Sequence, residues 1–87
     1  MPEITMYCTA SCPFCTRAEK LLIKKGMKIN KIRVDGDKAM LKEMIKRTGQ
    51  NTVPQIYIGN KHVGGFDDLS ELDIMDELDP LLGIKSE

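Results

Sequence analysis

Residues 8–15 read Cys8-Thr9-Ala10-Ser11-Cys12-Pro13-Phe14-Cys15, and they stand where the chain changes its period. Before them, Glu3 to Cys8 alternates apolar and polar residues, the pattern of a short strand. After them, Phe14, Ala18, Leu21 and Leu22 fall at i, i+4, i+7 and i+8, one stripe of a helix that Gly26 is suited to end. Proline favours the first helical position, where its missing N–H would be unpaired anyway and its φ is already helical. That makes Pro13 the first helical residue and Cys12 its N-cap. The side chain of an N-cap faces the free amides of the first turn, here those of Phe14 and Cys15. With the positive end of the helix dipole, those amides favour a thiolate over a thiol. The thiolate is the nucleophile of disulfide exchange, so Cys12 is the expected attacking sulfur. Cys15 lies one turn further in, near enough to pair with Cys12 and facing the interior.

Working outward, Ile29 to Val34 reads as a second strand, although its apolar residues change phase between Ile29 and Ile32. Asp37 can cap a second helix with Met40, Leu41, Met44 and Ile45 on one face and Gly49 at its end. Gln55–Ile58, Gly59-Asn60 and Lys61–Val63 read as strand, turn and strand. A third helix is expected from near Asp67, with Leu69, Leu72 and Met75 on one side and Pro80 stopping it. Lys85-Ser86-Glu87 reads as a loose tail. The strand–helix–strand unit implies a parallel pair with a right-handed crossover, and the hairpin adds antiparallel strands. The expected fold class is therefore α/β, a thioredoxin-like layout with a four-stranded mixed sheet flanked by three helices.

Eighty-seven residues make one expected domain, 1–87, whose net stability should be about 3–5 kcal/mol. Thirteen basic residues balance thirteen acidic ones, which gives no reason to expect nucleic acid or an acidic membrane as partner. The start Met1-Pro2-Glu3-Ile4 lacks the basic and apolar regions of an export signal, and no apolar run approaches the ~18 residues of a membrane span. A cytoplasmic, reducing setting is therefore the expectation, one in which clustered cysteines are expected to be catalytic or metal-binding rather than structural.

Two other readings of the cysteines compete with this one. A zinc site lacks its second pair of ligands, since His62 is the only histidine and sits on the expected hairpin. The spacing Cys8-x₃-Cys12-x₂-Cys15 also resembles the cluster motif of radical S-adenosylmethionine enzymes, but those need a partial or full barrel that this chain is too short to build. Cys8 reads as a small packed residue at a strand end.

Taken together, Tyr7 five residues before Cys12, Cys12-Pro13-Phe14-Cys15, Thr52-Val53-Pro54 and Gly64-Gly65-Phe66-Asp67-Asp68-Leu69 resemble the dithiol glutaredoxins, especially the short bacterial ones. The resemblance runs from about Glu3 to Leu82. It implies a glutathione-dependent thiol–disulfide oxidoreductase in which Cys12 attacks, Cys15 resolves and the two form the redox-active disulfide. It also implies a cis Val53-Pro54 bond that turns the Val53 backbone toward the nucleophile, where it pairs with the cysteinyl part of glutathione. Thr9, Phe14, Thr52, Val53, Pro54, Gly65, Phe66, Asp67 and Asp68 are the glutathione-binding residues on this reading. Asp67 is expected to cap the third helix, whose free amides would face the γ-glutamyl carboxylate. The implied partners are glutathione and glutathionylated or disulfide-containing proteins, ribonucleotide reductase being one candidate; the implied state is a monomer without metal.

Two positions depart from the family pattern. Many members carry Lys three residues before the nucleophile, where this chain has Thr9, and Gln or Arg near the start of the second helix, where it has Leu41. Lys38, Lys42 or Arg47 are the neighbouring cations available to the glycyl carboxylate. Two rivals accompany the reading. A redoxin reduced by thioredoxin reductase is disfavoured by Gly-Gly-Phe-Asp-Asp, and a dimer sharing a [2Fe–2S] cluster is disfavoured by Pro13 and Cys15.

Overall fold

A computed structural model describes residues 3–84. The strands are β1 (Ile4–Cys8), β2 (Ile29–Arg33), β3 (Gln55–Ile58) and β4 (Lys61–Gly64). The helices are α1 (Pro13–Lys24), α2 (Lys38–Thr48), α3 (Phe66–Ile74) and the single turn α4 (Leu78–Leu81). The sheet order is β2-β1-β3-β4. β1 runs parallel to β2, with Ile4 opposite Ile29 and Cys8 opposite Arg33, and antiparallel to β3. The β3–β4 hairpin closes the mixed sheet. This is the expected α/β, thioredoxin-like arrangement, with a fourth, very short helix added.

Because successive strand residues point to opposite faces, β1 and β3 feed two cores. On one face Ile4, Met6, Cys8, Ile56 and Ile58 pack with Cys15, Ala18 and Leu22 of α1, Leu69 of α3 and Leu78 of α4. On the other, Tyr7 and Tyr57 pack with Val34 and with Met44 of α2. The same rule accounts for the phase change in β2. Ile29 packs against the first core and Ile32 against the second, so the strand serves both faces and its apolar residues need not share a parity.

Local chemistry sets the helix ends. Asp37 Oδ1 accepts from the Met40 amide at 3.1 Å, and Gly49 closes α2 at φ 73° with its own amide bonded to the Ile45 carbonyl. The other end of the chain differs from expectation twice. The cap of α3 is Gly65 rather than Asp67, and Asp68 reaches back so that its Oδ2 accepts from the Gly65 amide at 3.0 Å. Pro80 does not stop the third helix, which already ends at Ile74; it lies inside α4. There its ring needs no amide partner, because a single helical turn leaves its first amides unpaired in any case. Lys25 ties these elements together, its Nζ lying 2.9 Å from Asp73 and 2.6 Å from Asp79. The expected tail, 85–87, lies outside the described residues.

Candidate active site at the first helix terminus

The β1–α1 connection delivers Cys12 to the start of α1 as its N-cap, with Pro13 following as expected. The Cys12 sulfur accepts a hydrogen bond from the Cys15 amide at 3.1 Å. Its backbone carbonyl receives the Thr16 amide, which fixes the cap geometry. Cys12 is partly exposed, whereas Cys15 is buried at 5% exposure and Cys8 at 4%. Burial, and then hydrogen bonding to Cys12, pushes the Cys15 thiol up from 9.0 to about 12. Cys8 is also raised, chiefly by burial, with Lys31 and Arg33 pulling in the opposite direction. The two inner thiols therefore stay protonated at neutral pH while the outer one meets solvent.

The connection itself is held from β2. Arg33 donates from Nε and Nη2 to the two carboxylate oxygens of Asp35, both at 2.7 Å, and Asp35 Oδ2 accepts from the Ala10 amide at 3.3 Å. That guanidinium holds the Asp35 carboxyl well below the usual carboxylate range. Neither Arg33 nor Asp35 figured in the sequence reading, because their partnership crosses from the end of one strand to a loop 25 positions earlier.

Across from Cys12 stands the Val53-Pro54 turn, whose peptide bond is cis, and the Val53 carbonyl oxygen lies 3.8 Å from the Cys12 sulfur. A cleft of about 240 Å³ opens beside it. Phe14, Thr52, Val53, Pro54, Gly65, Phe66, Asp67 and Asp68 all line it, so eight of the nine expected glutathione-binding residues come together from three separate segments. The ninth does not. Thr9 lines a different cleft, of about 370 Å³, with Cys8, Cys15, Lys31 and Arg33.

The rings of Phe14 and Phe66 have centroids 6.3 Å apart, giving the cleft an aromatic wall. At its acidic end the first intrahelical bond of α3 runs from the Leu69 amide to the Gly65 carbonyl, so the amides of Phe66, Asp67 and Asp68 precede the helical ladder. Gly64 makes the approach possible. Its φ is 114°, and a Cβ there would run into the Asp68 carboxylate.

The cations weighed from sequence are not in this cleft. Arg47 lies over the Tyr57 ring at 3.8 Å and donates to the Tyr7 hydroxyl at 3.2 Å, and neither Lys38 nor Lys42 is among the lining residues. Arg17 lies over the aromatic wall, its guanidinium carbon 5.5 Å from the Phe14 ring centre. Gln50 and Gln55 also line the cleft and were not anticipated. Gln55 could have been noticed as a polar residue in the buried phase of a strand directly after the Val-Pro pair.

Among the described residues, no group of three or more His, Cys, Asp or Glu side chains is arranged to hold a metal ion. No helix among them is long and apolar enough to cross a membrane.

Comparison with known proteins gives a consistent answer. A family model described as Glutaredoxin matches residues 4–63. The chain is 48% identical over 82 residues to Glutaredoxin 3 of Escherichia coli K12, covering 94% of this chain and 99% of that protein. It is 46% identical over 82 residues to a glutaredoxin of Pseudomonas aeruginosa, covering 94% of this chain and 98% of that one. Among solved structures, a buckwheat glutaredoxin–glutathione complex superposes with TM-score 0.86 at 30% identity, covering 94% of this chain and 77% of that chain. The solution structure of a Brucella melitensis glutaredoxin superposes with TM-score 0.83 at 44% identity, covering 94% and 89%.

Proposed function

Because this chain belongs to the glutaredoxin family of thiol–disulfide oxidoreductases, we propose that it uses glutathione to reduce glutathione mixed disulfides and protein disulfides, with Cys12 as nucleophile and Cys15 as resolving thiol. The observation that carries this is the contrast between the two sulfurs. Cys12 caps a helix beside an open cleft and takes an amide hydrogen bond, while Cys15 is buried and pushed up to about 12.

With a glutathionylated protein, the Cys12 thiolate attacks the glutathione sulfur. The Cys12–glutathione disulfide forms, and the protein leaves as its thiolate, which takes up a proton. A second glutathione, as thiolate, then attacks the bound glutathionyl sulfur, releasing Cys12 thiolate and glutathione disulfide. With a protein disulfide, Cys12 forms a mixed disulfide with one substrate sulfur. Cys15 then gives up its proton, attacks the Cys12 sulfur and expels the substrate as a dithiol. The resulting Cys12–Cys15 disulfide is reopened by glutathione. Electrons flow from glutathione to substrate in each sequence.

The cleft suits the tripeptide. The Val53 backbone can pair with the cysteinyl unit as one added strand rung. The amides opening α3 can receive the γ-glutamyl carboxylate, and Asp67 or Asp68 its ammonium. The glycyl carboxylate meets no lining cation among the described residues. An exposed ion pair is worth only about 0–1 kcal/mol, so affinity falls several-fold at most for want of one. Glutathione and oxidised proteins, ribonucleotide reductase being one candidate, are the proposed partners of a monomer working in a reducing, cytoplasmic setting.

Steady-state assays of two variants test the role assignment. Cys15→Ser is expected to keep turnover of a small glutathione mixed disulfide and to lose reduction of protein disulfides. Cys12→Ser is expected to lose both, and activity surviving in it would overturn the assignment.

A further inference from the structure

Gln55 is the buried polar residue of the core, fully enclosed at 0% exposure on β3. Its carboxamide makes contacts in two directions. On one side Nε2 lies 3.0 Å from the Thr52 carbonyl oxygen, 3.0 Å from Gln50 Oε1 and 3.2 Å from Thr52 Oγ1. On the other, Oε1 lies 2.8 Å from His62 Nε2. A backbone carbonyl can only accept, so the atom facing Thr52 must be the amide nitrogen. The oxygen therefore faces His62, and His62 Nε2 must donate. Both neutral imidazole protonated at Nε2 and imidazolium do so, which makes the clamp indifferent to the charge on the ring.

Thr52 and Val53 share one planar peptide unit, and that bond is trans, the cis bond being the next one. In a trans unit the C=O and N–H point in opposite directions. With the Thr52 carbonyl drawn inward to Gln55, the Val53 N–H must point outward, toward the cleft that Thr52, Val53 and Pro54 line. Among the described residues this amide has no acceptor.

From this we infer that Gln55 is a positioning residue. Its carboxamide, braced by His62, fixes the orientation of the Thr52–Val53 peptide and so presents the Val53 amide to the backbone of the glutathionyl substrate. The inference rests on the proposed glutathione-dependent reaction and assigns it a determinant that acts through the Thr52–Val53 peptide rather than by touching the reacting sulfur.

Gln55→Glu is nearly isosteric and, as a carboxylate, still accepts from His62 but cannot donate to the Thr52 carbonyl. Gln55→Leu removes both contacts. Each is expected to raise KM for a small glutathione mixed disulfide about tenfold, the loss of roughly one hydrogen bond. Neither should move kcat, nor the rate at which iodoacetamide alkylates Cys12, by more than about twofold, since the sulfur and its helix are untouched.

Wild-type KM in Gln55→Leu would overturn the inference. So would a parallel fall in kcat and in alkylation rate, which is the signature of general loosening. Should the variants fail to fold, the wild type carries the test by NMR. The Val53 amide and the Gln55 carboxamide resonances should both shift on titration with S-methylglutathione, and a silent Gln55 counts against the clamp. Wild-type protein that turns over no glutathione mixed disulfide would instead contradict the proposed reaction, leaving the two failures distinguishable.

Discussion

At the scale of single residues, two cysteines three positions apart acquire opposite characters from their surroundings. Cys12 and Cys15 are chemically identical in the unfolded chain. One becomes a cap at a helix mouth and the other a core residue. The linkage of Cys15 to stability has a definite sign. Its folded value of about 12 exceeds the ordinary 9.0, so the native state holds its proton where the unfolded chain has released it. Its contribution is complete below pH 9 and is lost as the pH rises toward 12. Urea unfolding of the reduced protein should therefore show stability declining above pH 9, by at most about 1.4 kcal/mol per unit from this group. The decline should be shallower in Cys15→Ser, and an identical slope in both would contradict the burial argument. The Cys12 cap was legible in the sequence because Pro13 marks the first helical residue. Asp35 was not, because it acts through a partner that only the folded chain supplies, and Gln55 showed only as a polar residue in a buried strand phase, its partners hidden.

At the scale of elements, the helix ends show what a linear reading can and cannot reach. Asp37 and Gly49 bound α2 as expected, since an Asx cap and a left-handed glycine are local devices. Their contributions can be measured separately. Asp37→Ala should cost about 1 kcal/mol and Gly49→Ala, forced to φ 73°, about 1–2 kcal/mol. Each kcal/mol lost should lower Tm by about 4–8 °C in a chain of this size, and unchanged melting curves would contradict the capping account. The start of α3 misled the sequence reading for a physical reason. Asp67 and Asp68 are both good caps in isolation, but Gly64 allows the backbone to approach so closely that Asp68 bonds back to Gly65 and the cap falls two residues earlier, at Gly65. The end of α3 misled it too, because Pro80 is as acceptable in a first turn as after a last one. In β2, apolar residues of both parities mark a strand covered on each side, a pattern that looks irregular only when one buried face is assumed.

At the scale of the whole molecule, the fold is what joins three segments far apart in sequence. The parallel β1–β2 pair aims Cys12 out of the sheet, the turn before β3 brings Val53 against it, and the end of β4 starts α3 on the opposite wall. The motif order alone indicated most of this convergence, and eight expected binding residues share one cleft. Thr9 does not join them; it lines the separate cleft shared by Cys8, Cys15, Lys31 and Arg33. This convergence makes Cys12, and no other thiol, the proposed site where glutathione is covalently carried. Mass mapping of Cys15→Ser treated with one equivalent of glutathione disulfide tests it most directly. A single glutathionyl group is expected, located on Cys12 and released by added glutathione; an adduct on Cys8, or no adduct on Cys12, would contradict this assignment.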